Sequence, residues 1–125
     1  MKPSDIYQAI RDWLTENNFD DGFKVQERFW RDGAQLDKFI VIQRMGGSNP
    51  EEALVRDSYR LILISADGGS QKELEDLAFS IRDALIRDHK IGCMTYVEPI
   101  GSINQSMSDR NRLILEINFN TIISR

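Results

Sequence analysis

Residues 59–88, YRLILISADGGSQKELEDLAFSIRDALIRD, change their hydrophobic period partway along. From Tyr59 to Ala66, Leu61 and Leu63 fall on one face of an extended chain and Ile62 and Ile64 on the other. This is the pattern of a central strand covered on both sides or placed in an oligomer. Ser70 and Glu73 follow with the S-x-x-E spacing of a capping box, and Leu74, Leu77, Ala78, Ile81 and Leu85 then form one apolar stripe. One such stripe does not offset the entropy of ordering a helix, so this helix must share a core with a sheet.

Toward the C-terminus, His89-Lys90 and Gly92 end the helix, and Cys93 to Glu98 reads as a fourth strand before Pro99 interrupts the ladder. A long polar connection, Gly101 to Asn111, leads to a last strand with clean alternation. Leu113, Leu115, Ile117, Phe119 and Thr121 share one face, and Arg112, Glu116, Asn118 and Asn120 share the other. Toward the N-terminus, Tyr59 is preceded by the polar connection GGSNPEEALVRD, Gly46 to Asp57, and by a strand beginning KFIVIQRM at Lys38. Phe23, Val25 and Phe29 alternate with Lys24, Gln26 and Arg28 in a first strand, and Asp32-Gly33 between the two predicts a hairpin. Pro3-Ser4-Asp5 starts a first helix with Ile6, Ile10, Trp13 and Leu14 on one face, ended by NNFDDG at Asn17 to Gly22. The expected architecture is a single α+β domain over residues 1–125. It is a two-layer sandwich of order α-β-β-β-α-β-β, with two helices on one face of a mostly antiparallel or mixed sheet. The other sheet face is mixed and partly exposed.

Composition narrows the functional classes. The chain has 125 residues, 41% hydrophobic and 29% charged, with one cysteine and a net charge of -4. That balance repels the phosphate backbone, which disfavours general nucleic-acid binding. The lone Cys93 forms no intramolecular disulfide and, with only His89 as a nitrogen ligand, no structural zinc site, which points to a reducing compartment. Charges after Met1 argue against a signal peptide, and apolar runs such as LILI fall far short of the ~20 residues that span a bilayer.

Reactive constellations are sparse. His89 reads as a helix C-terminal signal rather than a catalytic base, and Cys93 as a small buried residue without an activating partner. Asp67-Gly68-Gly69-Ser70 with Lys72 departs from the Walker spacing, and Glu73, Glu75 and Asp76 would oppose an anion there. The pairs Asp20-Asp21, Glu51-Glu52 and Glu75-Asp76 lack EF-hand spacing and read as solvated surface. Trp13, Phe29, Trp30, Tyr59 and Tyr96 lack the basic groove of a single-strand binder. Trp30, opposite Phe29 and beside Arg28 and Arg31, stands out as a partner contact. No catalytic, cofactor-binding or metal-ligating residues are assigned, and an enzyme is not expected.

The order of elements, with DIYQAIRDWL at 5–14, VRDSYRLILISADGGSQKELEDLAFSIRDAL at 55–85 and DRNRLILEINFNTI at 109–122, resembles the tail terminator proteins of long-tailed phages, the lambda type included. The resemblance implies a small structural subunit of the virion tail, assembled in the host bacterial cytoplasm. It would form a homo-oligomeric, hexameric ring on the end of the tail tube. That ring would stop tube polymerisation and present a surface to a neck or connector protein, and DNA would pass through without being specifically bound. No membrane contact is implied. The rivals are a neck or head–tail completion adaptor and a small carboxylate-based enzyme.

A head-to-tail ring needs two different patches per subunit. Physical inference places them on the mixed sheet face and the two polar connections. The candidate interface residues are Trp30, then Arg44, Asn49, Glu51 and Arg56 around the first connection, and Gln105, Asp109, Arg110 and Arg112 around the second.

Overall fold

The computed structural model describes residues 3–31, 37–47, 54–66, 68–92, 96–108 and 112–124. Its elements run α1 (Pro3–Glu16), β1 (Phe23–Glu27), β2 (Lys38–Gly47), β3 (Leu54–Ile64), α2 (Gln71–Asp88), β4 (Tyr96–Met107) and β5 (Leu113–Ser124). The five strands form one mixed sheet of order β1-β2-β3-β5-β4. Both helices pack on the same face. Ile6, Ile10, Trp13 and Leu14 of α1 and Leu74, Ala78, Ile81 and Leu85 of α2 share one core with Ile40, Ile42, Leu61, Leu63, Leu115, Ile117 and Phe119.

The stretch at 59–88 folds as its pattern dictates. Leu61 and Leu63 enter the helix-side core, while Ile62 and Ile64 join Phe39 and Val41 on the opposite face, against Trp30 and Ile114. Ser70 is the N-cap of α2, and its hydroxyl accepts from the Glu73 amide at 3.3 Å. At the other end His89 adopts the left-handed conformation, φ 55°, and its amide donates to Leu85 O. The alternation of β5 also holds: Leu113, Leu115, Ile117, Phe119 and Thr121 are all buried. β3 and β4 both run antiparallel to β5, so α2 links two strands of the same direction across the strand between them.

Three expectations are corrected. First, β1 and β2 do not form a hairpin; they pair in parallel, with Phe23 opposite Lys38 and Glu27 opposite Ile42. The chain leaves the ladder at Arg28, where φ is 74°, and the Phe29 amide turns back to Glu27 O. The Gln26 side chain then holds the backbone of Arg31 from both sides, accepting from its amide and donating to its carbonyl, each at 2.8 Å. Trp30 packs against Phe39 with ring centroids 6.2 Å apart. Burial of that indole against the second sheet face accompanies the parallel pairing; Asp32-Gly33, where a turn is expected, lies outside the described residues.

Second, the connection read at Gly46 to Asp57 is strand at both ends, and its residues 48–53 lie outside the described residues. β2 continues to Gly47 and β3 begins at Leu54, with an irregularity between Arg44 and Gly46 that leaves Met45 as the extra residue. Third, β4 runs through Pro99 to Met107, taking in most of the second polar connection. Proline is tolerated because β4 is an edge strand, whose outer side needs no donor. Between Ile100 and Asn104 it advances four residues while β5 moves two, from Asn118 to Glu116. Arg82 of α2 steadies this bulge by donating to Gly101 O at 3.0 Å.

Candidate interface

The departure of the chain from β1 creates the most distinctive surface. A left-handed Arg28 rotates the next side chains out of the strand's alternation, so Phe29 leaves the core face and stands 71% exposed. The Arg28 guanidinium lies over the Tyr7 ring, 4.6 Å from its centroid, and is also 3.4 Å from Glu27. Two open depressions of about 420 and 530 Å³ adjoin here, the first lined by Tyr7, Arg28, Phe29, Gln43 and Arg44 and the second by Gln26, Glu27, Arg28, Phe29 and Arg31. Phe29 is the residue that alternation conceals, because a continuous strand would have pointed it inward.

Arg44 anchors this surface to the fold. The irregularity at Met45 brings Asp57 within reach, and the guanidinium donates two bonds of 3.1 Å to its carboxylate. That pairing raises the Arg44 pKa and keeps it charged. The Arg44 amide donates to the Tyr7 hydroxyl at 3.1 Å. Beneath lie Tyr59, edge-on to Tyr7, and Phe119, stacked on Tyr59. The Tyr59 hydroxyl is buried and, among the described residues, has no hydrogen-bond partner of good geometry. Burial pushes its pKa up, and the nearby Asp57 carboxylate pushes the same way.

The second sheet face has two halves. At one end Trp30 and Arg112 close over Phe39: the Arg112 guanidinium sits 5.8 Å from the Trp30 ring and 5.6 Å from the Phe39 ring, and donates to Asp37 O. At 1% exposure Arg112 is part of the interior of the subunit. The other half is polar. Arg60 donates to Gln43 at 2.7 Å and pairs with Glu116 at 3.5 Å, and Ser58 donates to Asn120 at 2.6 Å.

The residues singled out from sequence therefore separate. Arg44 is exposed at the Phe29 surface, while Trp30 is half-buried on the second face with Arg112. Gln105 is exposed on β4, opposite Leu115 of β5. Arg56 lies on β3 opposite Ile122. Asn49, Glu51, Asp109 and Arg110 lie outside the described residues, as do Cys93 and Asp67. His89 occupies the cap of α2 with its ring stacked on Tyr96, 5.4 Å apart and 9° from parallel. Among the described residues, no group of three His, Cys, Asp or Glu side chains is placed to hold a metal, and no helix is long and apolar enough to cross a membrane.

Comparison with known proteins gives two findings. The family described as phage tail termination protein matches residues 3–125. Among solved structures, a chain of the virion of a native gene transfer agent particle superposes with a TM-score of 0.62 at 11% identity, covering 96% of this chain and 92% of that one. At that identity the likeness is one of fold. No curated protein matches the chain.

Proposed function

The chain belongs to the phage tail termination protein family, a family of structural tail proteins, and from that premise we propose that it closes the end of a tail tube as a homo-oligomeric ring. The ring stops further addition of tube subunits and offers its other side to a neck or connector protein. The match over residues 3–125 carries this reading. Six copies are the expected number, and assembly takes place in the host cytoplasm before the tail joins the head.

Contacts between copies, and with the tube, are assigned to surfaces rather than to a pocket. Arg44 and Arg56 lie on the two strands flanking the 48–53 connection that carries Asn49 and Glu51. Gln105 lies near the end of β4, ahead of Asp109 and Arg110. Trp30 and Arg112 support the second face from within. Pairing of opposite charges at such surfaces sets register and partner choice more than raw affinity. The net charge of -4 fits a ring through which DNA passes without being held.

The test is tube growth. Added to polymerising tube protein, the chain should give tubes of limited length with sixfold rings at one end in negative-stain images. Tubes that keep growing in its presence would overturn the proposal. Arg110→Glu and Glu51→Lys should weaken capping; variants that cap like the parent would remove those two residues from the interface.

A further inference from the structure

The Phe29 surface has a complement elsewhere on the same subunit. The outer side of α1 carries an open depression of about 340 Å³ lined by Asp5, Gln8, Ala9, Asp12, Trp13, Glu16 and Gly92. Its rim is acidic, because Asp5, Asp12 and Glu16 fall on one helical face, and none of its lining residues is basic. Its floor is apolar: Trp13 is buried, Ala9 is half-buried, and the Gly92 backbone approaches so closely that a Cβ there would lie 3.1 Å from that of Ala9. A dry cavity of about 150 Å³ holds a benzene, so the depression has room for a phenylalanine ring.

Around Phe29 the balance is opposite. Arg28, Arg31 and Arg44 stand near the exposed ring against Glu27 and Asp57, and Glu27 also pairs with Arg11 at 3.2 Å. The two surfaces share no lining residue. A patch with an apolar centre and a basic rim therefore meets, on a second copy, a hollow with an apolar floor and an acidic rim. Such a contact is heterologous and propagates head to tail until the rotation closes.

We infer that Phe29, rimmed by Arg28 and Arg31, inserts into the α1 depression of the neighbouring copy, with its basic rim facing Asp12 and Glu16. This rests on the ring reading and supplies its subunit contact. An aromatic anchor with charged neighbours is the composition that dominates interface energetics, and the charges set the direction of docking.

Arg28, Phe29, Arg31, Asp12 and Glu16 are all exposed, so their variants keep the fold, which circular dichroism verifies. Phe29→Ala should weaken association between copies by roughly 30-fold, the effect of losing a hot-spot side chain. Arg28→Glu with Arg31→Glu should abolish ring formation, as should Asp12→Lys with Glu16→Lys. Mixing the two double variants should restore assembly, because every contact then pairs opposite charges, reversed or native. Ultracentrifugation and negative-stain imaging with tube ends present read the outcome. Rings formed by either double variant alone, or no rescue on mixing, would overturn the inference while leaving the ring reading intact. Rings that form with Phe29→Ala but no longer seat on tubes would overturn it in favour of the tube protein as occupant. Rescue that yields only dimers would support the contact and refute the ring, and a parent chain that never self-associates, even on tubes, would refute both.

Discussion

Tyr59→Phe removes a single oxygen from the centre of the molecule, and the structure predicts that the protein does not suffer from its loss. The ring is fully buried between Tyr7 and Phe119, and among the described residues the hydroxyl has no hydrogen-bond partner of good geometry. Arg44 directs two donors of good geometry to Asp57, and toward Tyr59 it is close enough to oppose the rise in the phenol pKa without meeting the distance and angle of a full hydrogen bond. An unsatisfied buried hydroxyl carries a desolvation penalty of about 1–3 kcal/mol, so a phenyl ring of the same shape should leave stability unchanged or raise it by about 1 kcal/mol. For a domain of this size that is a rise in Tm of about 4 °C.

The same substitution should change the response to alkali. Burial holds the folded-state pKa of Tyr59 above the ordinary value of 10. The proton is then lost from the unfolded chain first, and stability falls as pH rises past 10, by at most about 1.4 kcal/mol per unit from this group. Below pH 10 the contribution is intact. Urea unfolding followed by circular dichroism from pH 7 to 11 should give two curves that run parallel to about pH 9 and diverge above 10, with the parent falling faster. A Tyr59→Phe protein less stable than the parent by more than 1 kcal/mol at pH 7 would show that the hydroxyl has a partner. Curves that stay parallel to pH 11 would show that the phenol ionises as freely in the folded state as in the unfolded chain.

Arg112→Ala should cost about 2–4 kcal/mol in urea unfolding, since it removes a buried side chain lying against two aromatic rings and a bond to Asp37 O. Trp30→Ala should destabilise the subunit by about 2 kcal/mol or more, whereas Phe29→Ala should leave monomer stability within about 0.5 kcal/mol; equal effects would contradict their placement. Ser70→Ala should cost about 1 kcal/mol through the lost cap of α2, and Ser70→Asp should recover most of it.

What was legible in the sequence was whatever repeats over many residues and is fixed by burial. The stripe of α2, the two-sided burial of β3 and the alternation of β5 each rest on five or so apolar positions in register, and all three fold as read. Pairing direction and strand length were not legible. Residues 101–107, GSINQSM, have no apolar alternation because their side chains are mostly exposed. They are strand because β5 offers a ladder for them to pair with. The parallel pairing of β1 depends on where the chain goes after Glu27, and that is decided by Trp30 finding Phe39 across the sheet.

The site shows the same division. Arg44, a candidate interface residue beside the first polar connection, is exposed. Arg112 reads as surface from its position on the polar side of β5, but the indole of Trp30 closes that end of the second face and turns the guanidinium into a buried contact. Trp30 and Phe29 exchange roles because one left-handed residue, Arg28, interrupts an alternation that sequence alone extends.

These placements bear on how a small acidic subunit uses its arginines. Arg11, Arg44 and Arg60 are paired with Glu27, Asp57 and Glu116, Arg82 bonds a backbone carbonyl, and Arg112 is buried against aromatic rings. A guanidinium already neutralised within the fold has little left to release counterions from a phosphate. The same pairs tie elements together: Arg11 joins α1 to β1, Arg44 joins β2 to β3, and Arg60 reaches across β3 to its neighbours on both sides. Half-exposed pairs of this kind contribute little stability singly, but they fix the relative positions of the strands that carry the surfaces. Beside this framework of paired charges, Arg28, Phe29 and Arg31 stand exposed where the chain kinks out of β1, so the exposed aromatic is carried on strands whose relative positions are already fixed.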